Sequence, residues 1–229
     1  MKIRRHNERG KTSVAWLDSY HSFSFNNYYD PEHNQFRSLR VINEDYVKAG
    51  GGFPTHSHQD MEIITYILSG SLEHQDSLGN GSVIHSGEIQ RMSAGTGISH
   101  SEYNASQSQP VHLLQIWIIP EQKGLKPGYE QKSISLTSNK WQLIAAKESG
   151  KDLVTIQQDI KLFLAKLTIN NSLEYQIGAN RHIWVQIACG EILLNNTLLK
   201  PGDAVAISEE KLLHFLAKED AEILLFDLA

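Results

Sequence analysis

A chain of 229 residues with 40% hydrophobic and 21% charged residues has the balance of an ordinary globular protein, and it is long enough for one large β domain or two smaller units. Its formal net charge of −5 at pH 7 gives no broad basic surface, so we do not expect nucleic acid as a partner. The basic residues 1–20 lack the apolar core of a secretion signal, and no run of about 18 apolar residues occurs, so we expect a cytoplasmic protein that does not associate with membranes.

Short segments rich in Val, Ile, Leu, Thr and Tyr recur along the chain, separated by Gly, Asn, Ser and Pro. The clearest of them, in chain order, are EIITYIL (62–68), VHLLQIWII (111–119), LFLAKLTI (162–169), HIWVQIAC (182–189) and AEILLFDL (221–228). This spacing predicts an all-β sandwich or barrel rather than alternating strands and helices. A short helix is predicted only near residues 147–152 or 155–160.

The order of the predicted elements occurs twice along the chain. Each copy runs strand, glycine, strand, turn, strand, glycine, strand. The paired glycines are Gly70 and Gly87 in the first copy and Gly190 and Gly202 in the second. The turn of the second copy contains Asn195–Asn196, which suits a type I′ hairpin because asparagine tolerates positive φ. We interpret the repeat as an internal duplication.

The boundary between the two copies is predicted near residues 120–132. Proline, glycine and charged residues interrupt the strand pattern there. The prediction is therefore an amino-terminal domain over residues 1–125 and a carboxy-terminal domain over residues 126–229. Each would be a β unit of roughly 100 residues, which is an ordinary size for a domain with its own core.

Two stretches of the chain place histidine and glutamate at alternate positions of a strand. His56, His58 and Glu62 share one face of the first strand, and His100 and Glu102 share one face of the second. If these strands are neighbours in a folded sheet, three imidazoles and one carboxylate meet. Such a set contains no thiolate and suits Fe, Mn, Ni, Cu, Co or Zn. The sequence therefore predicts a metal site whose carboxylate is either Glu62 or Glu102.

Three segments of the chain resemble a known family. GGGFPTHSHQDMEIITYILSG (50–70) and GEIQRMSAGTGISHSEYN (87–104) resemble the two signature motifs of the cupin superfamily. Together with HSFSFNNYYDP (21–31), they closely resemble the pirin family, and the similarity to bacterial pirins that cleave flavonols spans essentially the whole chain. The resemblance implies a bicupin, in which two antiparallel jelly-roll β-barrels pack together and only the amino-terminal barrel binds a metal.

The resemblance separates the two candidate carboxylates. General cupins use the glutamate of the first motif, which is Glu62 here, whereas pirins use the carboxylate two residues after the last histidine, which is Glu102. The metal ligands implied by the resemblance are His56, His58, His100 and Glu102. Glu62 would then support the site or the structure without binding the metal.

The carboxy-terminal domain contains no equivalent ligand set. Arg181 and His182 stand near the position of the first motif, and His214 stands near the position of the last histidine. Neither stretch contains the His-x-His pattern or a partner carboxylate at the matching spacing. We therefore expect the carboxy-terminal domain to bind no metal.

The activity implied by the resemblance is that of a quercetin 2,3-dioxygenase with one divalent transition metal. Fe(II) is the expected ion, and Zn, Mn, Ni, Co or Cu can be found in its place because affinity depends on supply as well as on the site. A flavonol has a 3-hydroxyl beside a 4-carbonyl, so the metal would act as a Lewis acid at the 3-oxygen. Glu102 is the expected general base for the hydroxyl proton. Dioxygen would then open the central ring with release of carbon monoxide.

A planar polyphenol needs apolar walls around it. Phe53 and Met92, both near the motifs, are the predicted substrate contacts. Further candidates are Phe23, Phe25 and Trp117. His74 and His112 lie in predicted strands of the same domain, and we do not expect them to line the cavity.

Two alternative functions are consistent with the same residues. Pirins in animals are described as nuclear cofactors whose metal state tunes a transcription factor, so the chain would sense iron or redox state through a protein partner, without turnover. Another cupin reaction, such as isomerisation of a phosphorylated sugar, would need Lys or Arg at the mouth of the site, and the two histidine segments contain none. Whichever of these functions the protein has, we expect it to be a monomer.

Overall fold

A computed structural model describes all residues from Met1 to Ala229. It contains a single short 3₁₀ helix, His6–Glu8, and no α-helix. The strands are β1 (Lys2–Arg4), β2 (Gly10–Val14), β3 (Leu17–His21), β4 (Leu39–Val47), β5 (Gly52–His58), β6 (Glu62–Ser69), β7 (Ser71–Asp76), β8 (Gly81–His85), β9 (Glu88–Ser93), β10 (Ile98–Asn104), β11 (Val111–Ile118), β12 (Gly128–Ser133), β13 (Gln142–Ala146), β14 (Val154–Thr155), β15 (Ile160–Leu167), β16 (Ser172–Gln176), β17 (His182–Cys189), β18 (Ile192–Leu194), β19 (Thr197–Leu199), β20 (Ala204–Ile207), β21 (Leu212–Ala217) and β22 (Ala221–Leu228). None of the helical segments has the length and hydropathy of a membrane-spanning helix.

The prediction of a short helix near residues 147–152 or 155–160 is wrong, because both segments lack helical structure. Val154 and Ile156 are buried on either side of the half-buried Thr155, which is the alternation of an extended chain. The Thr155 amide donates to the Glu130 carboxylate at 3.1 Å instead of to a helical carbonyl. So short a segment cannot offset the free energy of helix nucleation without an apolar face to bury, and here the apolar residues alternate.

The chain divides into two compact units. The amino-terminal unit comprises Gly10–Ile134 and Glu148–Gln158, and the carboxy-terminal unit comprises Met1–Arg9, Ser135–Lys147 and Asp159–Ala229. This division assigns the first nine residues to the carboxy-terminal unit, whereas the sequence prediction divides the chain once, between residues 125 and 126.

Two antiparallel sheets form the amino-terminal unit. One has the strand order β12-β9-β6-β11-β4-β3-β2, and the other has the order β5-β10-β7-β8. Apolar side chains from both sheets meet in one buried cluster, formed by Leu17, Val47, Ile67, Leu72, Ile84, Val111 and Leu113. The cluster holds the two sheets face to face, and this fixes the position of β5 and β10 relative to β4 and β11.

The carboxy-terminal unit repeats this arrangement. The order β9-β6-β11-β4-β3 of the first unit corresponds to β20-β17-β22-β15-β13, and β5-β10-β7-β8 corresponds to β16-β21-β18-β19. Strand β1 pairs with β20 at the edge of the larger sheet. The prediction of an all-β bicupin with two antiparallel jelly-roll units is therefore confirmed.

The glycines of the predicted repeat occupy equivalent places in the two units. Gly70 and Gly190 both have positive φ, +80° and +71°. A Cβ on Gly70 would lie 2.8 Å from the carbonyl oxygen of Pro110, and a Cβ on Gly190 would lie 2.2 Å from that of Asp220. Asn195 and Asn196 also have positive φ, as the predicted type I′ hairpin requires.

Candidate metal centre

Strands β5 and β10 are hydrogen-bonded neighbours, and their register brings the three histidines of the two motifs together. His100 pairs with His56, and His58 pairs with Ile98 one step further along. One ring nitrogen of each of His56, His58 and His100 lies within 4.8 Å of the others. The two strands that carry the histidine motifs are therefore neighbours in one sheet, as the predicted metal site requires.

The hydrogen bonds of His56 indicate which of its nitrogens faces this point. Its Nδ1 lies 2.9 Å from the carbonyl oxygen of Pro54, which can only accept, so Nδ1 carries the proton and Nε2 has a free lone pair. This Nε2 lies 3.1 Å from Nε2 of His100. Two imidazole nitrogens are thus directed at one point, and the one on His56 has its lone pair available. This matches the arrangement that a bound metal ion requires.

The surroundings keep two of these imidazoles neutral. Burial, together with the neighbouring His100 and His56, lowers the pKa of His58 to about 4. Burial likewise lowers the pKa of His100 to about 3, together with the charges of His56 and His74. Neutral imidazole is the form that binds a metal ion.

Regular alternation along β10 sets Glu102 on the same face as His100, and a β-bulge in the neighbouring β5 decides which residue lies opposite it. The pairing of β10 with β5 shifts between His100 and Glu102, so Glu102 lies opposite Phe53. A bulge of this kind changes the direction of a side chain relative to its neighbours. Gly52 allows the close approach of the two strands, since a Cβ there would lie 2.4 Å from the carbonyl oxygen of Glu102.

The Glu102 carboxylate is buried, with 1% of its surface exposed, and both of its oxygens accept hydrogen bonds. Gln115 Nε2 donates to one oxygen at 2.8 Å, and Thr65 Oγ1 donates to the other at 3.4 Å. Gln115 in turn accepts from the Trp117 indole at 3.3 Å. Because a carboxylate has about four acceptor positions, the group can still bind an ion and accept a proton.

His74 forms a second group with two of these residues. It pairs with Glu102 across β7 and β10, and one of its ring nitrogens lies within 4.8 Å of a His100 nitrogen and a Glu102 oxygen. The side chain is fully buried, and its Nε2 contacts Asp76 at 3.2 Å. As predicted, His74 does not line the cavity, but it lies behind the histidine cluster, a place that only the register of β7 with β10 reveals.

Glu62 is placed apart from the histidine cluster. Its carboxylate accepts a hydrogen bond from Ser93 at 2.9 Å and one from the backbone amide of Gln157 at 3.3 Å. Burial raises the pKa of Glu62, although these hydrogen bonds and the charge of Arg91 oppose the rise. No set of metal-ligating atoms in the structure includes Glu62.

A cavity of about 480 Å³ opens beside the cluster, a volume suited to a small organic ligand. His56, His58 and Glu102 are part of its lining. Its aromatic wall is formed by Phe25, Phe53 and Trp117, with the Phe25 and Trp117 rings 5.4 Å apart at 81°.

The other predicted wall residues lie elsewhere. Met92 is fully buried and packs with Ile63, Ala94 and Ile98, and Phe23 is also buried outside the cavity lining. His112 bonds to Glu44 at 2.9 Å and does not line the cavity, as predicted.

Comparison with known proteins decides the family. Residues 2–118 match the family model named Pirin, and residues 143–228 match a model described as the quercetinase C-terminal cupin domain. The chain belongs to the pirin family. A quercetin 2,3-dioxygenase of Escherichia coli K12 is 46% identical over 226 residues, which cover 99% of this pirin and 97% of that protein.

Solved structures agree with this assignment. The bacterial pirin YhhW of Escherichia coli, solved in complex with nickel(II), superposes with a TM-score of 0.95 at 45% identity, covering 99% of this pirin and 98% of that chain. A quercetin 2,3-dioxygenase of Acinetobacter baumannii superposes with a TM-score of 0.82 at 20% identity, covering 99% and 85%, and shares the fold.

Proposed function

We propose that this pirin is a metal-dependent quercetin 2,3-dioxygenase that opens the central ring of flavonols and releases carbon monoxide. The observation that supports it best is the convergence of three imidazole nitrogens and a buried carboxylate at the wall of a 480 Å³ cavity with an aromatic side. The similarity to a quercetin 2,3-dioxygenase along nearly the whole chain adds to it.

We propose His56, His58, His100 and Glu102 as the residues that hold the metal. Three nitrogens and one oxygen without a thiolate suit divalent first-row ions, and Fe(II) is the proposed native ion. When bound, the ion supplies Lewis acidity toward the 3-oxygen of the flavonol. The nickel(II) in the related YhhW structure is consistent with a site that accepts more than one ion of this row.

Glu102 is the proposed proton acceptor. Gln115 and Thr65 hold its two oxygens by hydrogen bonds, which fixes the carboxylate plane at the cavity wall. An oxygen held there is within reach of a hydroxyl group placed beside the histidines, so it accepts the 3-hydroxyl proton and returns it to the product. The resulting electron-rich flavonolate reacts with dioxygen.

The aromatic wall orients the substrate. Phe25 and Trp117 stand edge to face, and Phe53 packs against Trp16 with ring centroids 5.1 Å apart. These contacts restrict the rings, so the cavity presents rigid apolar surfaces to a planar ligand and excludes water from its faces. Met92 has no part in this wall, because it is buried in the core.

The carboxy-terminal unit is proposed to bind no metal. The positions of β21 and β16 that face the interior hold Leu213, Phe215 and Leu173, which pack in an aliphatic and aromatic core. His214 faces outward and pairs with Glu174 at 3.0 Å. A closely packed apolar interior has neither donor atoms nor space for an ion.

Reconstitution tests the proposal. The apoprotein is loaded with Fe(II) under anaerobic conditions, quercetin and oxygen are added, and carbon monoxide is measured for the wild type, Glu102→Gln and His58→Ala. We expect the wild type to release one carbon monoxide per quercetin. Both variants should lose at least about 100-fold in rate, Glu102→Gln because the general base is lost and His58→Ala because a proposed metal ligand is lost.

Two variants serve as controls. Glu62→Gln changes a buried carboxylate away from the cluster, and His85→Ala removes an exposed histidine of the same unit. Both should retain wild-type turnover. A wild-type protein that binds Fe(II) but consumes no oxygen with any flavonol would overturn the proposed function.

A further inference from the structure

The cavity has a polar wall that the proposed proton transfer does not use. It is formed on β2, β3 and β4, and its members are Thr12, Ser19, His21, Asn43 and Asp45. Ser19 pairs with Asp45 and His21 pairs with Asn43 across β3 and β4, so the wall consists of two adjacent rows.

The polar groups of one row already form hydrogen bonds with one another. His21 Nδ1 lies 2.8 Å from Asn43 Oδ1, and His21 Nε2 lies 2.9 Å from Thr12 Oγ1. His21 and Asn43 are 1% and 2% exposed, so this network is rigid and its hydrogen bonds are already formed. These groups shape the cavity.

Asp45 in the other row differs from them. Its carboxyl group is 2% exposed and takes one hydrogen bond, with the Ser19 hydroxyl. Its Oδ1 is buried and has no hydrogen-bond partner in the protein. Because a buried polar atom without a partner costs free energy, an atom of this kind in the wall of a cavity is suited to a ligand that brings the missing partner.

Two features restrict the chemistry of that ligand. The aromatic side chains of the lining suit a flat, largely apolar body, and Asp45 suits a hydrogen-bond donor on that body, such as a hydroxyl group. Asp45 and Glu102 both line this cavity, so a single small molecule in it can reach both carboxyl groups.

We propose that Asp45 determines substrate specificity by hydrogen bonding a second hydroxyl group of the flavonol, one that differs from the hydroxyl whose proton Glu102 accepts. The choice of a flavonol as ligand rests on the proposed function. The preferred substrate is then a polyhydroxylated flavonol, because an analogue without the second hydroxyl leaves the buried Asp45 oxygen unpaired.

Anaerobic binding measurements test this assignment. The Fe(II)-loaded protein is titrated without oxygen with quercetin and with 3-hydroxyflavone, which has the 3-hydroxyl alone, and the dissociation constants are read from the absorbance of the flavonol. We expect quercetin to bind the wild type more tightly. In Asp45→Leu its affinity should fall tenfold to a hundredfold, about the cost of leaving one buried hydroxyl group without its partner, while that of 3-hydroxyflavone stays within about threefold.

Matched variants separate this effect from a folding defect. Asp45→Asn keeps the shape and one acceptor oxygen, and it should keep at least half of the preference for quercetin on a logarithmic scale. Glu44→Gln alters the neighbouring carboxylate, whose Oε1 bonds His112 on the other face of β4, and should leave both affinities unchanged. A preference for quercetin that is the same in Asp45→Leu as in the wild type would overturn the proposal.

The two proposals fail in different ways. If the preference for quercetin depends on Asp45 but no oxygen is consumed, the proposal of a dioxygenase is overturned and the binding role of Asp45 is supported. Carbon monoxide release with a preference that does not depend on Asp45 would support the dioxygenase and overturn the assignment of Asp45.

Discussion

At the scale of single residues, His74 shows how the second strand pairing of β10 contributes to the site. Two strands flank β10, and each sets a histidine beside it: His56 on β5 and His74 on β7. The ring of His74 lies 5.3 Å from that of His100, and Asp76 contacts its Nε2. His74 thus restricts the ring of a proposed ligand from behind.

Replacing His74 should therefore weaken metal binding. In His74→Gln we expect the dissociation constant for Ni(II) to rise tenfold to a hundredfold, the usual effect of removing a group that holds a metal ligand in place. Competition with a coloured chelator measures it. His85→Gln, on the exposed side of β8, is the matched control and should keep wild-type affinity. An unchanged affinity in His74→Gln would show that the ring only fills space.

The histidines of the proposed metal site could be predicted from the sequence, because alternation along a strand places His56 and His58 on one face without knowledge of the fold. The choice of Glu102 over Glu62 depended on resemblance. Its physical basis is that Glu102 lies beside His100 in β10, whereas Glu62 begins β6 of the other sheet, and the sheet to which a strand belongs has no local sequence signal. No sequence motif identifies Asp45 as a site residue, since its proximity to the site depends on β4 lying beside β11.

At the scale of elements, one buried carboxylate holds residues 1–9 in place through hydrogen bonds. Asp203, just before β20, accepts from the backbone amide of His6 at 2.7 Å and from Arg5 Nη1 at 2.8 Å. Its second oxygen also accepts from the amide of Lys200 at 3.1 Å. These bonds fix the 3₁₀ helix that follows β1.

The pKa of Asp203 makes this attachment sensitive to acid. Burial favours the neutral form, but the hydrogen bonds from His6, Arg5 and Lys200 outweigh it and lower the pKa below the ordinary 3.8. A carboxyl with a lowered folded pKa stabilises the folded protein above its ordinary value, and this stabilisation is lost as the pH falls through the folded value.

Asp203→Asn should therefore reduce the free energy of unfolding by about 2 kcal/mol at pH 7, with a smaller difference from the wild type below about pH 4. Urea unfolding over a series of pH values measures it. Asp152→Asn, at an exposed position, is the matched control with no expected effect. A difference that stays constant down to pH 3 would contradict this account.

At the scale of the whole molecule, two units with the same strand order differ in what fills their interiors. In the amino-terminal unit, polar side chains from β5 and β10 face inward, whereas Leu213 and Phe215 take the inward positions of β21. The repeat itself could be predicted from the glycines and the turn residues, since positive φ and close backbone contacts restrict the choice of residue.

Metal content should reflect this difference. We expect one metal ion per chain in the wild type, one in His182→Ala/His214→Ala, and none in His56→Ala/His58→Ala, as measured by elemental analysis of protein reconstituted with Ni(II). Circular dichroism confirms that each variant is folded. The loss of one equivalent in the His182 and His214 variant would refute the proposal of a metal-free carboxy-terminal unit.

The membership of residues 1–9 in the carboxy-terminal unit could not be predicted from the sequence. The segment KIR (2–4) has no strand signal of its own, and its place depends on pairing with β20 about 200 residues later. Local pattern describes a strand and its exposed face, but the partner of an edge strand is set by the tertiary structure.

That pairing of Ile3 with Val205 has a consequence for synthesis on the ribosome. Strand β1 is translated about 200 residues before its partner β20, so it waits unpaired while the amino-terminal unit is translated. At about 5 to 20 residues per second, this wait lasts about ten seconds or more. A fragment that begins at residue 126 would lack the strand altogether and expose the edge of β20 to other chains, with aggregation as the expected result.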